Sequence, residues 1–144
     1  MGCATPKLLQ TTSVCYARAV PAATLDKLAK ENKSSLKGLV LDLRNTPGGL
    51  LTEAVELCNI FLDRGQLVVS TKGKISDMDE EYKTQGQPWN KDLPVTVLVN
   101  HSSASASEIV AGTIQDLDRG VIVGERSYGK GLVQRTRPLG FNSH

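Results

Sequence analysis

Residues 100–134 read NHSSASASEIVAGTIQDLDRGVIVGERSYGKGLVQ, directly after the apolar run VTVLV at Val95–Val99. A short apolar, β-branched run bounded by polar residues predicts a buried strand. The serine-rich stretch that follows predicts a turn. A helix pattern then runs from Ala106 to Leu117, with Ile109, Val110, Thr113, Ile114 and Leu117 along one face. Val121–Val123 supplies a second apolar run, and Gly129-Lys130-Gly131 brackets a lysine with two glycines. Strand, helix and strand in this order predict a parallel βαβ unit, because a parallel pair needs a crossover long enough to return the chain.

Working outward, the same alternation extends upstream. Ala22–Asn32 places Leu25, Leu28 and Ala29 on one helical face, with Thr24 a candidate N-cap. Residues 1–20 show no period and are assigned no element. Leu36–Arg44 predicts a strand ending in polar groups. Asn45-Thr46-Pro47-Gly48-Gly49 predicts a turn, since proline cannot donate to a ladder and glycine tolerates positive φ. Leu50–Leu62 has Leu51, Ala54, Val55, Cys58 and Phe61 or Leu62 at helical spacing and ends at Gly65; Gln66–Thr71 follows as a strand. Residues 72–94 are polar apart from Tyr82 and Trp89, and such a long connection reads either as a solvated excursion or as a flap beside a substrate. The whole order predicts an α/β fold with a mainly parallel sheet and βαβ crossovers.

Composition narrows the partners. The chain has 144 residues, enough for one small domain with a core, and 17 basic against 15 acidic residues leave a net charge of +2. Aromatics make up 4% and no basic tract occurs, which argues against nucleic acid. Cys3, Cys15 and Cys58 have no metal-binding spacing, and His101 and His144 are too scattered for a metal centre; Cys58 reads as a packed thiol. No apolar run is long enough to cross a bilayer, and residues 1–20 lack the apolar core of an export signal. Pro6 stands where a myristoylation signal needs Ser or Thr.

Two residue patterns bear on chemistry. Ser105 opens the helix, and with Glu108 three positions later it forms a capping-box pattern, so its hydroxyl reads as a cap or as a nucleophile. Lys130 reads as a solvated loop lysine or as a base. A lysine amine is protonated at its ordinary pKa of ~10.4, and removal from water favours the neutral form a base requires. Gly124–Lys130 also has the GxxxxGK spacing of a phosphate-binding loop. Gly131 replaces the Ser or Thr that would hold magnesium, and no helix pattern follows, so the pattern argues against nucleotide binding.

Taken together, SASASEI at 103–109, Ala111-Gly112, Gly124-Glu125, GKGLVQ at 129–134 and LVLDLRNTPGGLL at 39–51 resemble the carboxyl-terminal processing (tail-specific) serine proteases. The resemblance implies the spiral α/β core shared by caseinolytic and crotonase-like enzymes. It implies Ser105 as nucleophile, Lys130 as base 25 positions later, and Gln134 holding the lysine. Ala106 and either Gly48 or Gly49 would supply the two backbone N–H donors of an oxyanion hole, with Ser102, Ser103 and Ser107 as bystanders and Asp42 and Arg44 as a paired strand end. The implied partner is a protein or peptide cut near its carboxyl end, with no metal, nucleotide or organic cofactor, and the implied location is outside the cytoplasm. The resemblance covers residues 22–139 as a partial catalytic domain, leaving 1–21 unassigned and 140–144 as a tail. It expects a PDZ domain ahead of this core and more strands after it, so the core reads as truncated. The alternative is an inactive remnant that binds peptides or assembles with a longer partner.

Overall fold

The computed structural model describes residues 8–10, 22–31, 36–73 and 79–133. In chain order its elements are β1 (Leu8–Gln10), α1 (Ala22–Glu31), β2 (Leu39–Asp42), α2 (Leu51–Asn59), β3 (Leu67–Thr71), β4 (Glu80–Lys83), β5 (Val95–Val99), α3 (Ala106–Asp116) and β6 (Val121–Gly124). Four strands form one sheet in the order β1-β2-β5-β6, and every neighbouring pair is parallel. Leu41 lies opposite Val97, and Val97 opposite Ile122, so the registers of the three larger strands stay aligned. The α/β expectation with a parallel sheet therefore holds.

The alternation along β5 shows why this strand is central. Val95, Val97 and Val99 are buried while Thr96 and Leu98 between them are half-buried, the period-2 pattern of a strand with one face in the core. α3 buries Val110, Ala111, Thr113 and Ile114, and α2 buries Ala54, Val55, Leu57 and Cys58. Leu25, Leu41, Leu43, Leu57, Val97, Val110 and Ile114 are essentially closed to solvent. Each contributes about 1.5–3 kcal/mol by leaving water. Cys58 is part of this core, and burial pushes its thiol up to about 12, against a smaller opposing effect of a hydrogen bond with Thr113. It packs as the apolar side chain the sequence predicted.

Three expectations need correction. The Gln66–Thr71 strand does not join the parallel sheet: β3 pairs antiparallel with β4 in a separate two-stranded sheet, with an irregularity between Leu67 and Val69. The 72–94 connection is therefore not a structureless excursion along its described length. It contains β4, and beyond it Trp89 is half-buried, donating its backbone N–H to the Ile60 carbonyl and its indole N–H to Asp26 at 2.8 Å each. The polar strand EEYK escaped detection because both of its faces are largely exposed and no apolar alternation marks it. Thirdly, the segment left without structure contains β1, whose three residues are too few to show a period. Among the described residues no helix is long and apolar enough to cross a membrane.

Candidate active site

The site forms where two loops meet at the carboxyl ends of neighbouring parallel strands, residues 43–50 after β2 and residues 100–105 after β5. Leu43 N–H donates to Leu98 O at 2.9 Å, which holds the first loop to the second strand as both leave the sheet. Asp42 is buried and its carboxylate receives Arg44 twice, Nε at 2.9 Å and a terminal nitrogen at 2.7 Å, the paired strand end the sequence suggested.

Ser105 stands at the N-terminus of α3 with φ 55° and ψ −114°. A non-glycine residue there is strained by about 1–3 kcal/mol, and such strain persists only when the surroundings enforce it. Ser105 and Glu108 stand in capping-box geometry: Glu108 Oε2 accepts the Ser105 N–H at 2.8 Å, and the Ser105 side chain faces the Glu108 N–H. That N–H also donates to the Ser105 carbonyl at 2.9 Å.

Gly48 lies directly against this serine. Its φ is 121°, and a Cβ placed on it would come within 2.7 Å of Ser105 Cβ and 3.4 Å of Ala106 N. Only glycine satisfies both the angle and the space. At the start of α3 the N–H groups of Ser107, Glu108 and Ile109 are taken by the carbonyls of Ala104 and Ser105. The N–H groups of Ala106, Gly48 and Gly49 have no protein acceptor among the described residues. The structure thus brings Ser105, Ala106 and Gly48 into one place.

The lysine loop comes to the same place through Glu108. This carboxylate accepts four hydrogen bonds: Ser105 N–H and Lys130 N–H on Oε2 at 2.8 and 2.9 Å, Ser127 Oγ and Gly129 N–H on Oε1 at 2.7 and 2.6 Å. Two backbone amides on one oxygen put the Ser105 and Lys130 main chains side by side. Tyr128 N–H adds a bond to Ser103 O at 3.0 Å. Burial, the largest single influence, pushes the Glu108 carboxyl up, but its four hydrogen-bond donors outweigh that and hold it below the ordinary carboxylate range.

Lys130 itself is half-buried. Among the described residues a Cβ on Gly129 or Gly131 would meet nothing within 4 Å, and what Gly129 contributes is its φ of 84°. Gln134 lies outside the described residues. Two functions went unread in the sequence. Glu108 was visible only as a cap, and Ser127 carried no signal, because its partner lies 19 positions away. Ser103 and Ser107 are both fully buried and donate to carbonyls of the β2 loop. Among the described residues no group of three or more His, Cys, Asp or Glu is placed to hold a metal ion.

Comparison with known proteins now bears on this geometry. The model of peptidase family S41 matches residues 16–144. A probable CtpA-like serine protease of Staphylococcus epidermidis is 46% identical over 119 residues, covering 81% of this chain and 24% of the relative. Its counterpart in Staphylococcus aureus is 45% identical over 115 residues, covering 78% of this chain and 23% of the relative. The chain thus spans about a quarter of the length of these relatives. Among solved structures, the photosystem II D1 C-terminal processing protease superposes with a TM-score of 0.72 at 36% identity, over 86% of this chain and 31% of that one. A match to the family model over almost the whole chain, on a fold that superposes on a processing protease, settles the lineage: this chain belongs to peptidase family S41.

Proposed function

We propose that this chain is the core of a serine endopeptidase in which Ser105 is the nucleophile and Lys130 the base. The observation that carries the reading is the shared Glu108 carboxylate, which ties the Ser105 and Lys130 backbones to one oxygen. The strained Ser105 backbone supports it, as do the N–H groups of Ala106 and Gly48, which have no acceptor among the described residues.

In this reading the Lys130 amine takes the Ser105 Oγ proton as the oxygen attacks a peptide carbonyl carbon. The oxyanion that forms lies between the N–H groups of Ala106 and of Gly48 or Gly49. Collapse of the tetrahedral intermediate breaks the C–N bond, Lys130 returns the proton to the leaving amine, and an acyl-Ser105 ester remains. Water, deprotonated by the same amine, releases the acid and restores the serine. Gln134, by its match to the family pattern, orients the Lys130 side chain. The substrate class is protein or peptide, and the likeness to the photosystem II D1 C-terminal processing protease supports cleavage near a carboxyl end. Residues 22–139 would form part of the catalytic domain, working outside the cytoplasm.

A fluorophosphonate probe tests this directly. Labelling of the chain should fall on Ser105 and vanish in Ser105→Ala. Lys130→Ala should abolish labelling and peptide cleavage, and Lys130→Arg should not restore them, because a guanidinium stays protonated. Gln134→Ala should be milder. Peptide cleavage by Lys130→Ala at the unaltered rate would overturn the reading.

A further inference from the structure

We propose that Ser107, with Ser103 beside it, is a positioning residue that sets the gap between the Gly48 turn and the nucleophile. The inference rests on the reading of Ser105 as nucleophile and extends it to the two serines that flank it.

The two loops of the site are joined by neutral hydrogen bonds. Ser107 Oγ donates to Thr46 O at 3.1 Å, and that carbonyl also accepts the Ala104 N–H at 3.1 Å. Ser103 Oγ donates to Leu43 O at 2.8 Å while accepting the Asn100 N–H at 2.9 Å. Asn100 Oδ1 accepts the Asn45 N–H at 3.0 Å, and its amide nitrogen donates to Asn45 Oδ1 at 2.9 Å. Ser103, Ser107 and Thr46 are 0% exposed, so water has no access to replace a lost partner.

Placement explains why serine is needed at both positions. Ser103 and Ser107 lie two residues either side of Ser105 and face the β2 loop rather than the substrate side. Together they hold residues 43 and 46, and through them the turn that carries Gly48 against Ser105. A hydroxyl is the smallest side chain that reaches across such a contact and donates. Alanine in place of Ser107 leaves the Thr46 carbonyl its Ala104 donor, so folding survives while the turn gains freedom to drift. Drift of about 1 Å at a reacting centre lowers rate by roughly 10²-fold. Because an oxyanion develops only in the transition state, the loss falls on kcat and not on KM.

The experiment compares Ser107→Ala and Ser103→Ala with the parent chain and with Ser102→Ala, whose side chain takes no part in this stitching. Active sites are counted by fluorophosphonate titration, and kcat and KM are measured with a peptide substrate. Inhibition by a peptide aldehyde, which forms a tetrahedral adduct, is measured alongside. Backbone amide exchange at residues 46–49 is followed in every variant. Ser107→Ala is expected to lower kcat per titrated site roughly 10- to 100-fold with KM within twofold. Aldehyde affinity should weaken by the same factor as kcat, and exchange at 46–49 should quicken while Val97 in the core is unchanged. A kcat per titrated site within twofold of the parent, or a loss confined to the number of titrated sites, would overturn the proposal. Cleavage that persists in Ser105→Ala would instead remove the nucleophile reading. The stitch is then judged by exchange alone, and unchanged exchange at 46–49 in Ser107→Ala refutes it.

Discussion

Ser105 holds a backbone conformation that an L-residue adopts only under constraint, and the constraint has named parts. Glu108 fixes its N–H, Ala104 is pinned to Thr46, and Gly48 closes the space behind its Cβ. The strain of about 1–3 kcal/mol is relieved by a residue without a Cβ. Ser105→Gly and Ser105→Ala both lose the hydroxyl, so their difference isolates the backbone effect. Ser105→Gly is expected to be the more stable of the two by about 1 kcal/mol in urea unfolding, while neither labels with a fluorophosphonate. Equal stability of the two would mean that the φ of 55° carries no strain.

At the scale of elements, one carboxylate joins the start of α3 to the 127–130 loop, and its charge makes the junction pH-dependent. The Glu108 pKa is held below the ordinary carboxylate range in the fold, so its contribution is fully present above ordinary Glu values. That contribution is lost as pH falls from there through the folded value. Stability of the parent chain should therefore decline below about pH 4.3 with a steeper slope than that of Glu108→Gln. A glutamine amide nitrogen cannot accept the paired N–H groups, so this variant should start from a lower plateau at neutral pH. Identical slopes would mean that the clamp does not depend on charge. A second junction is Arg119, whose guanidinium donates to the carbonyls of Phe61 at 2.8 Å and of Asn90 and Leu93 at 3.0 Å each. It ties the chain after α2 to the approach to β5. Lysine cannot span three acceptors with a planar fork, so Arg119→Lys is expected to destabilise by about 2 kcal/mol in chemical denaturation. An unchanged unfolding midpoint would show that the carbonyls are equally well served without the fork.

Among the described residues of the molecule, β6 is one edge of the parallel sheet, and it carries exposed apolar side chains. Val121 and Val123 are 62% and 47% exposed, and Leu132 beyond them is 73% exposed. An exposed apolar edge is a template for association with another chain. Val123→Lys should lower self-association of the isolated chain, read as a smaller weight-average mass in sedimentation at matched concentration. Ser105 labelling should be unaffected, because β6 contributes no side chain to the Ser105–Glu108 contacts. An unchanged mass distribution would show that this edge does not drive association.

Local chemistry alone determined much of this protein. Period-2 burial in VTVLV, the 3.6-residue stripe of α3 and the Pro47-Gly48-Gly49 turn are short-range patterns, and each strand and helix they mark is present. Motifs named Ser105 and Gly48 as candidates, and the structure places the two residues against each other. Which strands share a sheet was not legible, because β3 and β6 carry similar apolar runs yet only β6 pairs with β5. That choice rests on long-range pairing, which no window along the chain contains. The same holds for Glu108, Ser103 and Ser107. Their residue types fit a cap and a polar turn equally well, and only the meeting of three loops gives them the Lys130, Leu43 and Thr46 main-chain partners that define their roles. Sequence supplied the groups, and tertiary structure decided which of them meet, since a hydrogen bond depends on distance in space and not along the chain.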